Sequence, residues 1–338
     1  MMSIMSSTAS AYASESAVPI LAHSLLRLDV ATGGDQQSTT SAPQGPIPSR
    51  QGWNLEHDIK GATEYPPMGV FRPGTVIGFS CKKNVSKEGD DYDHVGQIPR
   101  YLLTACLRKS ARGPNMNMNP SAFIIYPAHF DAFSPGKLLE SLLSASQPPT
   151  LSRSEAISHL DSVQLIPVFD FSAASQALHQ IADSLSHQQQ DQNVTLIIAG
   201  LDSLTEGVIR ASNAVRGAAV LTSVLRTLTQ LSRTYSTYLS IMLVNTSGLG
   251  QLPPSHSQRP STDDSHHHYT ADDGSIHSIF GASGAPLFPN LLAKTLDQGI
   301  DTHLLLSTVQ GQDRVVEVIK DRVGDGAGKW CVWRGGNR

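Results

Sequence analysis

The chain is predicted to fold as an α/β protein whose mostly parallel, doubly wound sheet continues into antiparallel strands. Three observations predict it. Five short apolar runs have the length and β-branched content of buried strands. Amphipathic patterns of helical period separate them. The end of the chain then changes to three strand-like runs joined only by the short turns QGQD and GDGAG.

The elements follow in order. The strand runs are Thr75–Ser80, Ala122–Tyr126, Val163–Phe169, Val194–Ala199 and Leu239–Thr246. The first helical pattern, Gln97–Ala111, places Ile98, Tyr101, Leu102, Ala105 and Cys106 on one face. The second, Pro135–Ala145, opens with a proline suited to a first turn. Ala173–Leu185 repeats Ala174, Ala177, Leu178, Ile181 and Leu185 at helical spacing. Gly217–Tyr235 turns Leu221, Val224, Leu225, Leu228 and Leu231 inward, with Arg226 and Arg233 outward. Strands that read as continuous apolar runs between helices belong to a parallel sheet buried on both faces. His303–Val309, Arg314–Lys320 and Lys329–Arg334 should then form an antiparallel meander on one edge.

A length of 338 residues allows two domains. The alternation instead runs through one core, 56–338, behind an arm of residues 1–55 and with a long inserted loop at about 248–289. Residues 31–52 are rich in Ser, Thr, Gln, Gly and Pro and bury too little apolar surface to order themselves. Val18–Val30, with Ile20, Leu21, Leu25, Leu26 and Leu28, reads as a short amphipathic helix, a docking peptide or a loosely attached terminal segment.

Composition narrows the class. Charged residues make up 16% and the formal net charge is −4, which excludes a globally basic nucleic-acid coat but not a local basic patch. The cysteines, at 81, 106 and 331, build no disulfide scaffold and have no metal-ligand spacing, so a reducing, intracellular compartment is expected. No apolar run approaches the ~18 residues that span a bilayer. The N-terminus lacks the basic and apolar regions of a signal peptide.

The segments VTLIIAGLDSL and LSIMLVNTSG, with the helix ending VLRTLTQLSRTYS between them, resemble the central block of the eukaryotic RecA-like recombinases and their paralogues. The terminal RVVEVIKDRVGDGAGKWCVW resembles that family's closing hairpin, and MGVFRPGTVIGFS resembles the approach to its nucleotide-binding loop. The resemblance covers about residues 66–334. It implies a RecA-like, P-loop-NTPase-type core: a mostly parallel sheet with C-terminal antiparallel strands.

The family's chemistry is ATP binding with Mg²⁺, and here the chain departs from the pattern. A phosphate loop needs G-x-x-x-x-G-K-[ST]: glycines let backbone N–H groups wrap the phosphates, the lysine meets their charge, and the hydroxyl binds the metal. The chain offers Cys81-Lys82-Lys83-Asn84-Val85-Ser86-Lys87-Glu88. Lys87 holds the lysine register, both glycines are missing, and Glu88 replaces the hydroxyl. A carboxylate there repels a triphosphate, and Asp90, Asp91 and Asp93 add to it, so a solvated charged loop is expected. The family's metal-holding acid ends the fourth strand; here that strand ends in Ala199-Gly200, and the nearest acid, Asp202, is displaced and reads as a cap or turn residue beside Ser203 and Glu206. The family's water-positioning glutamate corresponds to Phe130 in YPAHFDAFSPGKLL, with Asp131 and His129 as titratable neighbours. No catalytic residue is therefore assigned. Lys87 and Asp202 are the positions a cofactor would use, and ATP with Mg²⁺ is expected only if the degenerate loop still binds.

The resemblance also assigns nucleic-acid contact to the loop after the fifth strand. That loop, 248–289, sets Arg259 against Asp263, Asp264, Asp272 and Asp273, a poor match to a phosphate backbone. His256, His266, His267, His268 and His277 become basic only near or below pH ~6.5. Consecutive His and Asp residues lack the defined geometry of a metal site, so none is expected. Better candidates for DNA contact are Arg216 and Arg226, with Arg210 and Arg233, around the long helix, and Lys320, Arg322 and Lys329, with Arg334, on the terminal hairpin. A solvated face is the competing account of all of them. Trp330 and Trp333 should divide between the core and an outward position.

Three functions fit these residues. One is a non-catalytic recombinase paralogue acting in the nucleus, in homologous recombination and DNA repair. It would pair with another RecA-like paralogue or with the recombinase itself, and assist assembly on single-stranded or branched DNA. The second is a structural RecA-like subunit of a tRNA-modifying, Elongator-type complex. The third is a divergent ATPase using Lys87 and Asp202. The RVVEVIKDR hairpin favours the first over the second, and the missing glycines count against the third.

Overall fold

The computed structural model describes residues 53–62, 69–82, 91–110, 121–145, 150–187, 193–250, 276–280, 287–308 and 314–333. Residues 1–52 of the N-terminal arm, Lys87 with its flanking loop, the histidine triplet and Arg334 lie outside them.

Eight strands form one sheet in the order β3-β2-β4-β5-β1-β6-β7-β8. The strands are β1 (Val76–Cys81), β2 (Ala122–Pro127), β3 (Val163–Val168), β4 (Val194–Ala199), β5 (Leu239–Val244), β6 (Thr302–Thr308), β7 (Arg314–Asp321) and β8 (Trp330–Trp333). The first six pair in parallel, while β7 and β8 run antiparallel to their neighbours. The expected strands are all present, with ends shifted by a residue or two.

The helices are α1 (Leu55–Ala62), α2 (Asp91–Ser110), α3 (Pro135–Ser144), α4 (Arg153–Leu160), α5 (Phe171–His187), α6 (Leu201–Ala211), α7 (Ala214–Thr234) and α8 (Leu291–Gln298). Two of the expected single-helix crossovers contain two helices, α3 with α4 between β2 and β3, and α6 with α7 between β4 and β5. α4 opens on a capping box, in which Ser152 Oγ accepts from Glu155 N–H and the Glu155 carboxylate accepts from Ser152 N–H.

Alternation along the strands fixes two apolar layers. On one face Ile77, Phe79, Ile124, Ile197, Met242 and Leu304 pack against α1, α2, α3 and α4. On the other, Val76, Phe123, Ile125, Leu196, Ile241 and Leu243 pack against α5, α6, α7 and α8. Each fully buried Leu, Ile or Phe contributes about 1.5–3 kcal/mol, so the layers dominate the stability of the sheet.

The face changes with the direction of travel. Crossovers β1→β2→β3 move toward one edge over the first face; β3→β4→β5→β6 move back over the second. One handedness of crossover requires that change. It leaves β1 and β5 as neighbours whose following helices, α2 and α8, lie on opposite faces. Ligand crevices in open α/β sheets form at such a switch, beyond the carboxyl ends of the strands.

Candidate functional site

The carboxyl edge around β1 and β5 is therefore the place to look, and three positions there bear on catalysis. β4 ends in Ala199, fully buried, followed by Gly200 at φ 69°. That left-handed residue is the N-cap of α6. A Cβ on Gly200 would collide with Pro127 Cγ at the end of β2, so no side chain fits at the first position beyond the strand. Asp202, two positions on, is 3% exposed. Its carboxylate accepts from Ser247 N–H and, at 3.2 Å, from Thr246 Oγ1. It ties α6 to the segment leaving β5 from inside the first turn of that helix, not from the cap or turn expected, because Gly200 is the cap. Ser203 Oγ donates to Gly200 O at 2.9 Å, and Glu206 pairs with Arg210 at 3.3 Å.

Phe130, in the position of the water-positioning glutamate, is 3% exposed and packs on Phe133 with ring centroids 5.9 Å apart. Its neighbour Asp131 points outward and pairs with Lys137 at 3.0 Å, and His129 is exposed. Lys137 also meets Asp93 at 3.0 Å, and Arg100 meets Asp93 at 2.9 Å and Ala132 O at 2.6 Å. Burial alone would raise the Asp93 carboxyl, but Arg100 and Lys137 hold it below its ordinary value. The cluster clamps the start of α2 to the approach to α3.

Beneath the same edge lies a constellation that the sequence did not suggest. Ser80 on β1 and His303 on β6 are 0% and 1% exposed, with Ser80 Oγ 2.8 Å from His303 Nε2. Asn245, just past β5, donates from Nδ2 to Ser80 Oγ at 2.7 Å. His303 Nδ1 is 3.0 Å from Asp297 Oδ1 on α8, and Lys320 on β7 reaches Asp297 Oδ2 at 2.8 Å. A carboxylate only accepts, so Nδ1 carries the proton, Nε2 accepts from Ser80 O–H, and Ser80 Oγ accepts from Asn245. Each member is hydrogen-bonded to the next.

The electrostatics agree with a neutral imidazole. Burial pushes the His303 pKa below its ordinary value, against the opposing pull of Asp297. Burial would raise Asp297, yet its bonds with His303 and Lys320 keep it lowered. Burial also lowers Lys320, partly offset by Asp297. The connectivity Ser–His–Asp is that of a nucleophile, base and orienting acid. Ser80 has no approach for a substrate in this arrangement, however, because it is fully buried between His303 and Asn245. The hydrogen-bonded chain links β1, β6, β7 and the end of β5 to α8.

The sequence candidates for DNA contact do not converge. Arg216 and Arg226 are exposed on α7. Lying ten positions apart, they point about 80° from each other around the helix. Lys320 is spent on Asp297. Arg322 is exposed and donates to Gln298 O at 2.9 Å; Lys329 pairs with Asp325 at 3.0 Å. Arg233 pairs with Asp301 at 2.8 Å and donates to Gly74 O. Trp333 is buried against Tyr101, ring centroids 5.7 Å apart, and Trp330 meets Phe280 at 5.1 Å. The outward tryptophan is thus covered by the returning part of the long loop.

That loop is anchored where it is described. Buried Glu317 accepts from Ser278 Oγ at 2.7 Å and Ile279 N–H at 2.8 Å. Lys82 Nζ lies 3.5 Å from Phe280 O. Among the described residues no group of three or more His, Cys, Asp or Glu is placed to hold a metal, and no helix is long and apolar enough to cross a membrane. No family model matches the chain, and no curated protein sequence matches it.

Proposed function

We propose that this chain is a RecA-like subunit without nucleotide chemistry of its own, acting in homologous recombination and DNA repair through heteromeric interaction. The observation that carries this reading is what fills the carboxyl edge of the sheet. A parallel sheet with β1 and β5 at its switch point, running on into an antiparallel hairpin, supports the RecA-like core. At that edge a collision-packed glycine, an inward phenylalanine and a hydrogen-bonded Asp202 stand where ATP hydrolysis would need free carboxylates. Upstream, Glu88 and the missing glycines remove the phosphate cradle.

Interaction then becomes the main use of the fold, and one edge suits it. Among the described residues no strand pairs with the outer side of β3. Its outward-facing backbone groups are an available template for another chain, interrupted at Pro167, which has no N–H. Phe169 follows it at 86% exposure, the most exposed of the large apolar side chains among the described residues. The partner would be another RecA-like paralogue or the recombinase, assembled on single-stranded or branched DNA in the nucleus.

Pull-down with the full chain tests the proposal. Recombination proteins should be retained and Phe169→Asp should weaken retention. Retention of Elongator-type subunits instead would assign the chain to tRNA modification. Loss of the chain should sensitise cells to DNA crosslinks or breaks.

A further inference from the structure

We infer that the buried chain Asn245–Ser80–His303–Asp297–Lys320 is a latch that fixes where the long loop after β5 leaves and rejoins the sheet. The two stems of that loop meet the latch at separate links. The outgoing stem begins at Asn245, whose N–H donates to Phe79 O at 2.8 Å while its side chain holds Ser80. The returning stem ends in Leu287 and Phe288, and Phe288 lies over His303 with ring centroids 5.7 Å apart. It continues into α8, which carries Asp297. The stems also bond to each other and to β1: Gly250 N–H donates to Leu287 O at 3.0 Å, and Leu249 N–H to Cys81 O at 2.7 Å. Leu249, Leu287, Phe288 and Leu305 form a small apolar cluster of their own beside the latch.

A satisfied polar chain in this position has a directional consequence. Removing one member leaves a buried donor or acceptor of its neighbour without that partner, which weakens the whole chain rather than merely deleting one contact. Ser80 and Lys320 sit toward opposite ends of the chain, on β1 and β7, so a change at either should loosen both stems. A phosphate or acidic group that captured Lys320 would leave Asp297 without its cation, which links the terminal hairpin to the loop. The latch does not depend on the recombination reading.

Amide hydrogen exchange on the full chain tests it. In the unaltered protein, stem amides at 249–250 and 287–288 should exchange as slowly as those of β1; fast exchange there would overturn the latch. In Ser80→Ala and in Lys320→Met, exchange at the stems should rise roughly tenfold, the order expected for one unsatisfied buried partner. Strands β2 and β4 should stay within about twofold. An equal rise everywhere, or no rise at the stems, contradicts the latch. If Ser80→Ala does not fold, Lys320→Met and the unaltered chain decide.

Discussion

Gly200 and Pro127 approach so closely across the carboxyl ends of β4 and β2 that a Cβ on the glycine would strike the proline ring. With φ at 69°, Gly200 also occupies backbone space that L side chains rarely adopt. Gly200→Ala should therefore destabilise the protein by about 1–3 kcal/mol. Urea unfolding would show this as a lower midpoint with an unchanged slope. Gly200→Asp, which restores an acid in sequence, should unfold the edge rather than create a metal site.

Phe130 gives a second test of the same edge. Phe130→Ala should cost about 3–5 kcal/mol as a buried aromatic truncation. Phe130→Glu places a carboxylate in an apolar slot, so it should be at least as destabilising. Calorimetric midpoints compare the two. A Phe130→Glu protein as stable as the original would mean the slot opens to water.

The nominated basic residues should separate by mutation. Arg216→Ala and Arg226→Ala remove exposed side chains and should change stability by no more than about 0.5 kcal/mol. Lys320→Ala leaves the Asp297 carboxylate, whose side chain is 13% exposed, with His303 as its partner but without its cation, and should cost several-fold more. Denaturant midpoints of the three variants check the ranking.

The latch makes stability depend on pH in one direction. His303 is neutral in the folded protein, with its pKa below the ordinary value of 6.5. Between that folded value and 6.5 the unfolded chain binds more protons, so stability falls as pH drops through about 6.5 and keeps falling down to the folded pKa. Asp297 acts at lower pH, its contribution present above its unfolded value of 3.8 and lost as pH falls through its folded pKa. His303→Gln should flatten the profile below about pH 6.5 while lowering stability overall. Thermal midpoints across that range would decide; an unchanged slope in the variant would assign the dependence to another group.

The strands were legible because burial on both faces writes itself as continuous apolar runs, as in Val194–Ala199 and Leu239–Val244. Asp202 was legible only as displaced from the strand end, because Gly200 interrupts the strand; it belongs to a helix and not to the expected turn. α6 was not expected, although Leu201, Leu204, Thr205 and Val208 carry a helical period; the glycine that announced a turn is the cap of that helix. His303 was hidden among the leucines of β6, and its partner Ser80 is 223 positions away in sequence. Such a pairing exists only once β1 and β6 are neighbours. Lys320 looked like an available cation for the same reason, since nothing local reveals Asp297 as its counter-ion.

The most direct test of the central claim is stoichiometric: purification of the tagged chain from its own cells, with co-purifying proteins identified and quantified. A RecA-like paralogue or the recombinase itself should be recovered in near-equal amount, with no ATP turnover attributable to this chain. Recovery without any such partner, or ATP turnover by the isolated chain that Lys87→Ala abolishes, would contradict it.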